Sequence, residues 1–467
     1  MTEEEQRTDL KRGLPMVRAL DPEAAERDKA ELERMARLPT LSRWAGYWRR
    51  IGPGWLQSAL TLGGGSAGSS LFAGALFGYQ LLWVQPVAML LGIIMMSAIA
   101  YQTLSTRARP FDAMKAYVHP TIAWAWALGS LAATLIWHFP QYALAGAVVQ
   151  DMADLAGAAI PTWPVGLVIL VLATAITWSY GRGIKGIRLY ERLLRYMVWL
   201  IVISFALVVI RTGVRDWGEL LRGYFTFHIP RDPRGVSVMM GAFGAAVGIN
   251  MTFLFPYTLL ARGWGRNYRG LARFDLMTGM LLPFVLATSL MIIATANTLP
   301  GTVDIPATGI SLPAKSAAQA LAPLAGPFFA RVIFNLGVLG MVLSTITLHM
   351  LASAFIICEM LNWEPVGWRY RLASLVIAPG MLGTVLWKNL LWVAVPTSAI
   401  CGVLLPIAYI AFLVLHNRRA YMGDAKPVGT RAWLWNLGMI AAVVASASSA
   451  GYFIYTAVPD YLSRFAR

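Results

Sequence analysis

The sequence has few charged residues and almost no cysteine. Only 13% of the 467 residues are charged and 57% are hydrophobic, whereas soluble domains carry roughly 25% charged residues. This composition argues against a soluble multidomain protein. Cys358 and Cys401 are the two cysteines, and both lie in apolar segments. They cannot build a disulfide framework or a zinc site, so we expect them to be small core residues.

Long stretches contain no Asp, Glu, Lys or Arg. Residues 51–106 form one such stretch of 56 residues, which is room for two membrane spans of about 20 residues each. The full pattern predicts an all-α polytopic membrane protein with about eleven transmembrane helices. We predict helices at 51–77, 81–106, 121–148, 164–180, 193–210, 236–261, 276–297, 328–357, 372–387, 390–416 and 432–457.

The remaining residues form two tails around a transmembrane domain at 51–457. The N-terminal tail, 1–50, holds ten acidic and eleven basic residues and no apolar core segment, so it does not resemble a signal peptide. The C-terminal tail is short, 458–467. We expect the N-terminal tail to be cytoplasmic and partly helical or disordered.

Basic residues are unevenly distributed between the two sets of loops. With the N-terminus inside, inner loops carry 18 Lys and Arg and outer loops carry 8, which predicts a cytoplasmic N-terminus and an external C-terminus. We expect an integral protein of the bacterial inner membrane whose partner is the lipid bilayer. The net charge of +16 does not indicate nucleic-acid binding, because the basic residues lie in short runs between apolar stretches. An oligomeric state is not indicated.

Glycines interrupt the first and sixth predicted spans. Gly63, Gly64 and Gly65 lie about halfway along the first span, and each costs roughly 1 kcal/mol relative to alanine in a helix. The sixth span holds Gly241 and Gly244, and then Gly248–Asn250. A pair of interrupted spans in corresponding halves is typical of the midplane site of a transporter. The alternative is that these glycines only allow close helix packing.

Several short motifs, in order and at suitable separations, resemble the NRAMP family of divalent-metal transporters. The motifs are Gly52–Leu56, Gly78–Val84, Leu336–Thr345, Leu404–Pro406 and Tyr421–Gly423. The resemblance covers about 50–457 and implies a LeuT-type fold. In that fold, two inverted five-helix repeats are followed here by one extra helix, and helices 1 and 6 are unwound at mid-membrane.

The residues that bind metal in that family do not carry over. Its Asp-Pro-Gly-Asn motif falls on Gly63–Ser66, and its Met-Pro-His motif falls on Gly248–Asn250. A glutamine that joins the family's site corresponds to Ser398. A second histidine and the helix-three acids associated with proton passage are also replaced; the residues at those positions are Phe255, Ala143 and Gly146. The 13 acidic residues outside the N-terminal tail all lie in loops or at predicted helix ends.

These observations predict an NRAMP-related secondary transporter that has lost its transition-metal site and proton path. We expect it to carry a small organic or other non-transition-metal solute, with no enzyme activity, catalytic residue, bound metal or cofactor. The five histidines are scattered and are expected in loops or in packing. Two alternatives remain: transport of a divalent cation such as hydrated Mg²⁺ through a non-acidic site, and a non-transporting sensor or scaffold. The predicted substrate-binding residues are Gly63, Gly64, Gly65, Ser66, Gly248, Ile249, Asn250 and Ser398.

Overall fold

The computed structural model is helical throughout the part of the chain that it describes. That part comprises residues 10–14, 27, 30–35, 37–180, 184–299, 317, 322–386 and 390–460. Within it, the only β-type pairing is an isolated bridge between Arg12 and Ala108. The predicted C-terminal tail lies mostly outside the described residues.

The α-helices are numbered in chain order. They are α1 (Thr40–Trp48), α2 (Pro53–Thr61), α3 (Gly64–Phe77), α4 (Val84–Thr106), α5 (Pro110–Tyr117), α6 (Pro120–Leu155), α7 (Thr162–Tyr180), α8 (Ile184–Thr212), α9 (Trp217–Phe225), α10 (Pro233–Ala246), α11 (Ile249–Ala261), α12 (Arg269–Leu276), α13 (Leu282–Thr298), α14 (Ala322–Met360), α15 (Gly367–Leu375), α16 (Gly383–Leu386), α17 (Leu390–Val403), α18 (Leu405–Asn417), α19 (Arg419–Met422) and α20 (Gly429–Thr456).

The first and sixth predicted spans are each divided into two half-helices. Leu62 and Gly63 separate α2 from α3, and Gly63 is extended, with φ −111° and ψ −168°. Val247 and Gly248 separate α10 from α11, and both residues are extended. The backbone therefore leaves the helical conformation at both predicted interruptions.

The breaks are shorter than the sequence suggested. Gly63, Gly64 and Gly65 were all expected to interrupt the first span, but α3 begins at Gly64. In the same way, α11 begins at Ile249. Two non-helical residues suffice to separate each pair of half-helices, and glycine accepts helical dihedral angles at a cost of about 1 kcal/mol. Gly65, Ser66, Ile249 and Asn250 consequently lie in first helical turns.

Eight helical segments within the described residues are long and apolar enough to cross a membrane. Three predicted spans differ from this pattern. In the predicted span 193–210, the apolar helix that the structure describes is the shorter segment Val202–Thr212. The span 51–77 is divided between α2 and α3, and 372–387 consists of short pieces that include a 3₁₀ segment, Ala378–Leu382. The total of eleven spans therefore stays a prediction.

The N-terminal segment packs on the transmembrane helices. Besides forming α1, it pairs with the turn after α4, because Gly13 donates its N–H to the Arg107 carbonyl and Arg109 donates to Lys11, each at 2.9 Å. The Arg109 side chain is buried and bonds to Glu359 at 3.2 Å. Burial alone would lower the Arg109 pKa, but neighbouring carboxylates raise it above its usual value. The same guanidinium donates to the Gly13 carbonyl at 2.9 Å, so backbone and side-chain hydrogen bonds both hold this segment.

Small residues allow α10 to approach its neighbours closely. A Cβ added at Gly241 would lie 2.7 Å from Ser69 Oγ and 2.9 Å from the Val395 carbonyl oxygen. A Cβ at Gly244 would collide with the backbone of Ser398. The close-packing alternative therefore explains these two glycines. The close packing at these glycines brings α3, α10 and α17 together beside both breaks.

Candidate functional site

The start of α3 is held by a side chain of α6. Gln141 Oε1 accepts a hydrogen bond from the Gly64 N–H at 3.1 Å. This N–H is one of those at a helix N-terminus that have no intrahelical partner. A Cβ at Gly63 would lie 2.6 Å from Thr345 Oγ1 of α14. The first break therefore lies between α6 and α14, with the positive end of the α3 dipole directed into it.

The hydroxyl of Ser66 has a structural partner. Ser66 Oγ donates to the Thr61 carbonyl at 2.6 Å and lies 3.1 Å from the Gly63 carbonyl. These carbonyls belong to the end of α2 and to the break, where the helical bonding pattern stops. Ser66 thus bridges the two half-helices, and its hydroxyl is already hydrogen-bonded.

Asn250 is the polar side chain at the second break. It is fully buried, and neither of its amide atoms has a hydrogen-bond partner within the described part of the chain. A Cβ added at Gly248 would lie 2.7 Å from Asn250 Oδ1, which places the amide beside the extended residues. A buried, unpaired amide costs free energy in the empty protein, so Asn250 is a candidate ligand-binding group.

A thioether also reaches this break. The Gly248 N–H lies 3.3 Å from Met251 Sδ, so the side chain folds back over the start of α11. Met251 lies three residues after Gly248, the position on which the methionine of the family's Met-Pro-His motif falls.

Trp137 of α6 connects the two breaks. Its indole N–H donates to Ser398 Oγ at 2.7 Å, and its ring would lie 2.7 Å from a Cβ at Gly248. Ser398 in turn lies directly against Gly65, where a Cβ would collide with the hydroxyl. The structure thus brings Gly65, Gly248 and Ser398 into one neighbourhood. Sequence reasoning missed Trp137 and Gln141; the only signal was their position next to Pro140, midway along an apolar span.

Two histidines meet beside this neighbourhood, contrary to the expectation that the histidines are scattered. Nδ1 of His138 lies 3.3 Å from Nδ1 of His349, and both rings are fully buried. The His349 ring also stacks on Trp137, with centroids 6.1 Å apart. Each histidine leaves Nε2 without a partner among the residues described. The pair escaped sequence analysis because 211 residues separate its members.

The carboxylate groups of Asp275 and Asp151 pair with other groups of the protein, away from the two breaks. Asp275 accepts hydrogen bonds from the Gly52 and Gly54 N–H groups at 3.1 and 2.7 Å, at the start of α2. Asp151 pairs with Arg331 near the end of α6. Across the described ranges, no group of three or more His, Cys, Asp or Glu residues is arranged to hold a metal ion.

A family model described as natural resistance-associated macrophage protein-like matches residues 54–456. The chain belongs to the Nramp family. It is therefore a membrane transporter and not an enzyme, as the sequence predicted. A relative from Agrobacterium fabrum, described as divalent metal cation transporter MntH, is 23% identical over 415 residues, with 85% of each chain covered.

Solved structures show that this Nramp-family chain has the LeuT-type fold. The manganese transporter of Eremococcus coleocola matches with a TM-score of 0.65 at 15% identity, covering 85% of this chain and 86% of that one. The nucleobase-cation-symport-1 transporter Mhp1, solved with bromovinylhydantoin bound, matches with a TM-score of 0.54 at 14% identity, covering 87% and 93%. At these identities the likeness establishes the fold alone.

Proposed function

We propose that this Nramp-family chain is a secondary transporter whose cargo binds between the two helix breaks. The cargo is a small organic or other non-transition-metal solute, held by backbone groups and neutral side chains. The observation that carries this proposal is Asn250, a buried amide beside the second break with no hydrogen-bond partner among the residues that the structure describes.

The chemistry of the surrounding groups supports a polar or anionic cargo. The first turn of α3 directs N–H groups and the positive end of a helix dipole into the break, an arrangement that suits carboxylates and phosphates. The Asn250 amide supplies two donors and an acceptor. Displacement of Gln141 from the Gly64 N–H would expose one further donor. The loss of the family's Asp, Asn and Met ligands at Gly63, Ser66 and Gly248 favours the same interpretation.

A divalent cation is the second candidate, and a specific observation favours it. Two imidazole nitrogens bound to one tetrahedral Zn²⁺ lie about 3.3–3.4 Å apart, given bond lengths of roughly 2.0–2.1 Å. The His138–His349 separation is 3.3 Å. Met251 adds a soft ligand type at the neighbouring break, and the Agrobacterium relative is named as a divalent metal cation transporter. Hydrated Mg²⁺, the alternative from the sequence, has no comparable support.

A panel of ligands would separate the two candidates. Purified protein is heated with amino acids, organic acids, nucleobases, Mg²⁺, Mn²⁺ or Zn²⁺, because a ligand at 100 times its Kd stabilises by about 2.7 kcal/mol. We expect the largest stabilisation from an organic compound. Stabilisation by a metal alone, lost in both His138→Ala and His349→Ala, would establish the cation instead.

A matched pair of variants would locate the organic cargo. Gly65→Ala combined with Ser398→Ala places a methyl group on the first turn of α3, beside the break, while relieving the collision with Ser398 Oγ. Ser398→Ala alone is the control for the loss of the hydroxyl, which is itself a predicted substrate-binding group. We expect the double variant to fold and to lose the ligand-induced stabilisation, while the single variant retains part of it. Equal ligand binding by both variants would exclude this break as the site.

A further inference from the structure

A basic cavity of about 800 Å³ lies at the beginning of the transmembrane domain. Its wall is formed by the segment before α1, by α1, by the residues before α2, by α8, and by the segment between α11 and α12. Five arginines line it: Arg34, Arg49, Arg50, Arg192 and Arg262. Glu31 is the acidic residue in the wall, and it pairs with Arg50. Among the lining residues that the structure describes, five positive charges and one negative charge give a net charge of +4, which favours an anionic ligand.

The exposed surface of α1, next to the cavity, is apolar and aromatic. Leu41, Trp44 and Trp48 are 79%, 48% and 46% exposed. The two tryptophan rings lie 6.1 and 6.4 Å from Phe274, centroid to centroid, and the buried Tyr47 lies 5.7 Å from it. Helix α1 therefore packs its aromatic residues around Phe274 and leaves about half of each tryptophan exposed, on a helix whose Ser42 and Ala45 line the cavity. Exposed tryptophans next to arginines are typical of segments that lie at the membrane–water interface.

We propose that this cavity binds the phosphate headgroup of an anionic phospholipid. Guanidinium groups match phosphate geometry through paired N–H donors, and basic pockets beside membrane spans bind lipid headgroups. The volume lies within the range of roughly 300–1,000 Å³ typical of small-ligand sites. Free phosphate shares the same chemistry, but the exposed tryptophans and leucine give the acyl chains of a lipid an apolar surface to lie on. The site is separate from the helix breaks and does not depend on the identity of the cargo.

The test uses charge variants of the full-length protein. Arg34→Gln combined with Arg49→Gln removes two charges from the cavity wall. Arg37→Gln combined with Arg418→Gln is the control, because both residues are exposed and neither lines the cavity. Ser42→Trp is a third variant that fills the cavity from α1 and keeps every charge. Each protein is placed in detergent micelles with phosphatidylglycerol, phosphatidylcholine or inorganic phosphate, and lipid binding is measured by native mass spectrometry and by thermal stabilisation.

We expect phosphatidylglycerol to bind and stabilise the wild type, whereas phosphatidylcholine and inorganic phosphate do not. The Arg34/Arg49 variant should bind phosphatidylglycerol roughly thirtyfold more weakly, given about 1 kcal/mol for each of the two basic residues at an anionic surface. Ser42→Trp should also bind weakly, and the Arg37/Arg418 control should match the wild type. Equal weakening in the control would overturn the proposal, because general charge attraction would then explain the binding. Equal stabilisation by inorganic phosphate would also overturn it, since the ligand would then be free phosphate.

Discussion

Asn250 combines complete burial with an amide that has no hydrogen-bond partner in the described part of the chain. Such a group is usually satisfied in a native protein, because leaving it unpaired costs about 1–3 kcal/mol. It is therefore most simply explained as a group that becomes paired when the cargo binds.

Replacing Asn250 with leucine tests this explanation. Asn250→Leu keeps a similar shape and removes the unpaired amide, so the free energy of unfolding should stay unchanged or rise by about 1–2 kcal/mol. The same variant should lose the stabilisation caused by the best ligand of the panel. Thr103→Val is the control, because Thr103 is also buried with an unpaired oxygen but lies on α4. Asn250→Leu protein that unfolds much more easily, or that still binds ligand, would contradict the explanation.

Individual site residues could be predicted only where a motif nearby in the sequence indicated their position. The position of Ser398 followed from its distance to Pro406, and the structure places it against Gly65. Trp137 could not be predicted, because an aromatic residue in an apolar span has the same pattern as a core residue. The contact between His138 and His349 depends on how α6 packs along α14, and no local pattern encodes that packing.

At the scale of the helices, glycine has two distinct uses in the sixth span. Gly248 lies in the break, where the backbone is extended. Gly244, one helical turn earlier, lies against the backbone of Ser398 in α17. Composition alone could not separate these uses, because both leave the same residue type in the same apolar segment. The interruption of both spans could be predicted, whereas both breaks are shorter than predicted, because α3 begins at Gly64 and α11 begins at Ile249.

Alanine substitutions should distinguish the two uses. Gly244→Ala forces Cβ into backbone atoms that cannot rotate away, so it should destabilise the protein by about 1–3 kcal/mol. Gly337→Ala is the matched control within α14, since a Cβ there meets nothing within 4 Å; it should be neutral or stabilising by up to about 1 kcal/mol. Thermal denaturation in one detergent measures both. Equal stability of the two variants would mean that α10 and α17 are not in close contact.

At the scale of the whole molecule, the distribution of charge predicts which loops share a side of the membrane. Ser42 and Asn267 should lie on the cytoplasmic side, and Glu219 should lie outside. Cysteine variants at these positions suit labelling, because both native cysteines are buried. A membrane-impermeant maleimide applied to intact cells should label Glu219→Cys and should label the other two only after lysis. Labelling of Ser42→Cys in intact cells would contradict the predicted orientation.

The proposed function depends most on the proposal that the site has lost its transition-metal ligands. Calorimetric titration of Mn²⁺ into purified protein tests this claim most directly. We predict no saturable binding at micromolar Mn²⁺, because the neighbourhood of Gly63, Ser66 and Asn250 offers neutral groups where hard cations usually require carboxylate ligands. Micromolar binding that is retained in His138→Ala but lost in the combined Ser66→Ala and Asn250→Leu variant would contradict the account.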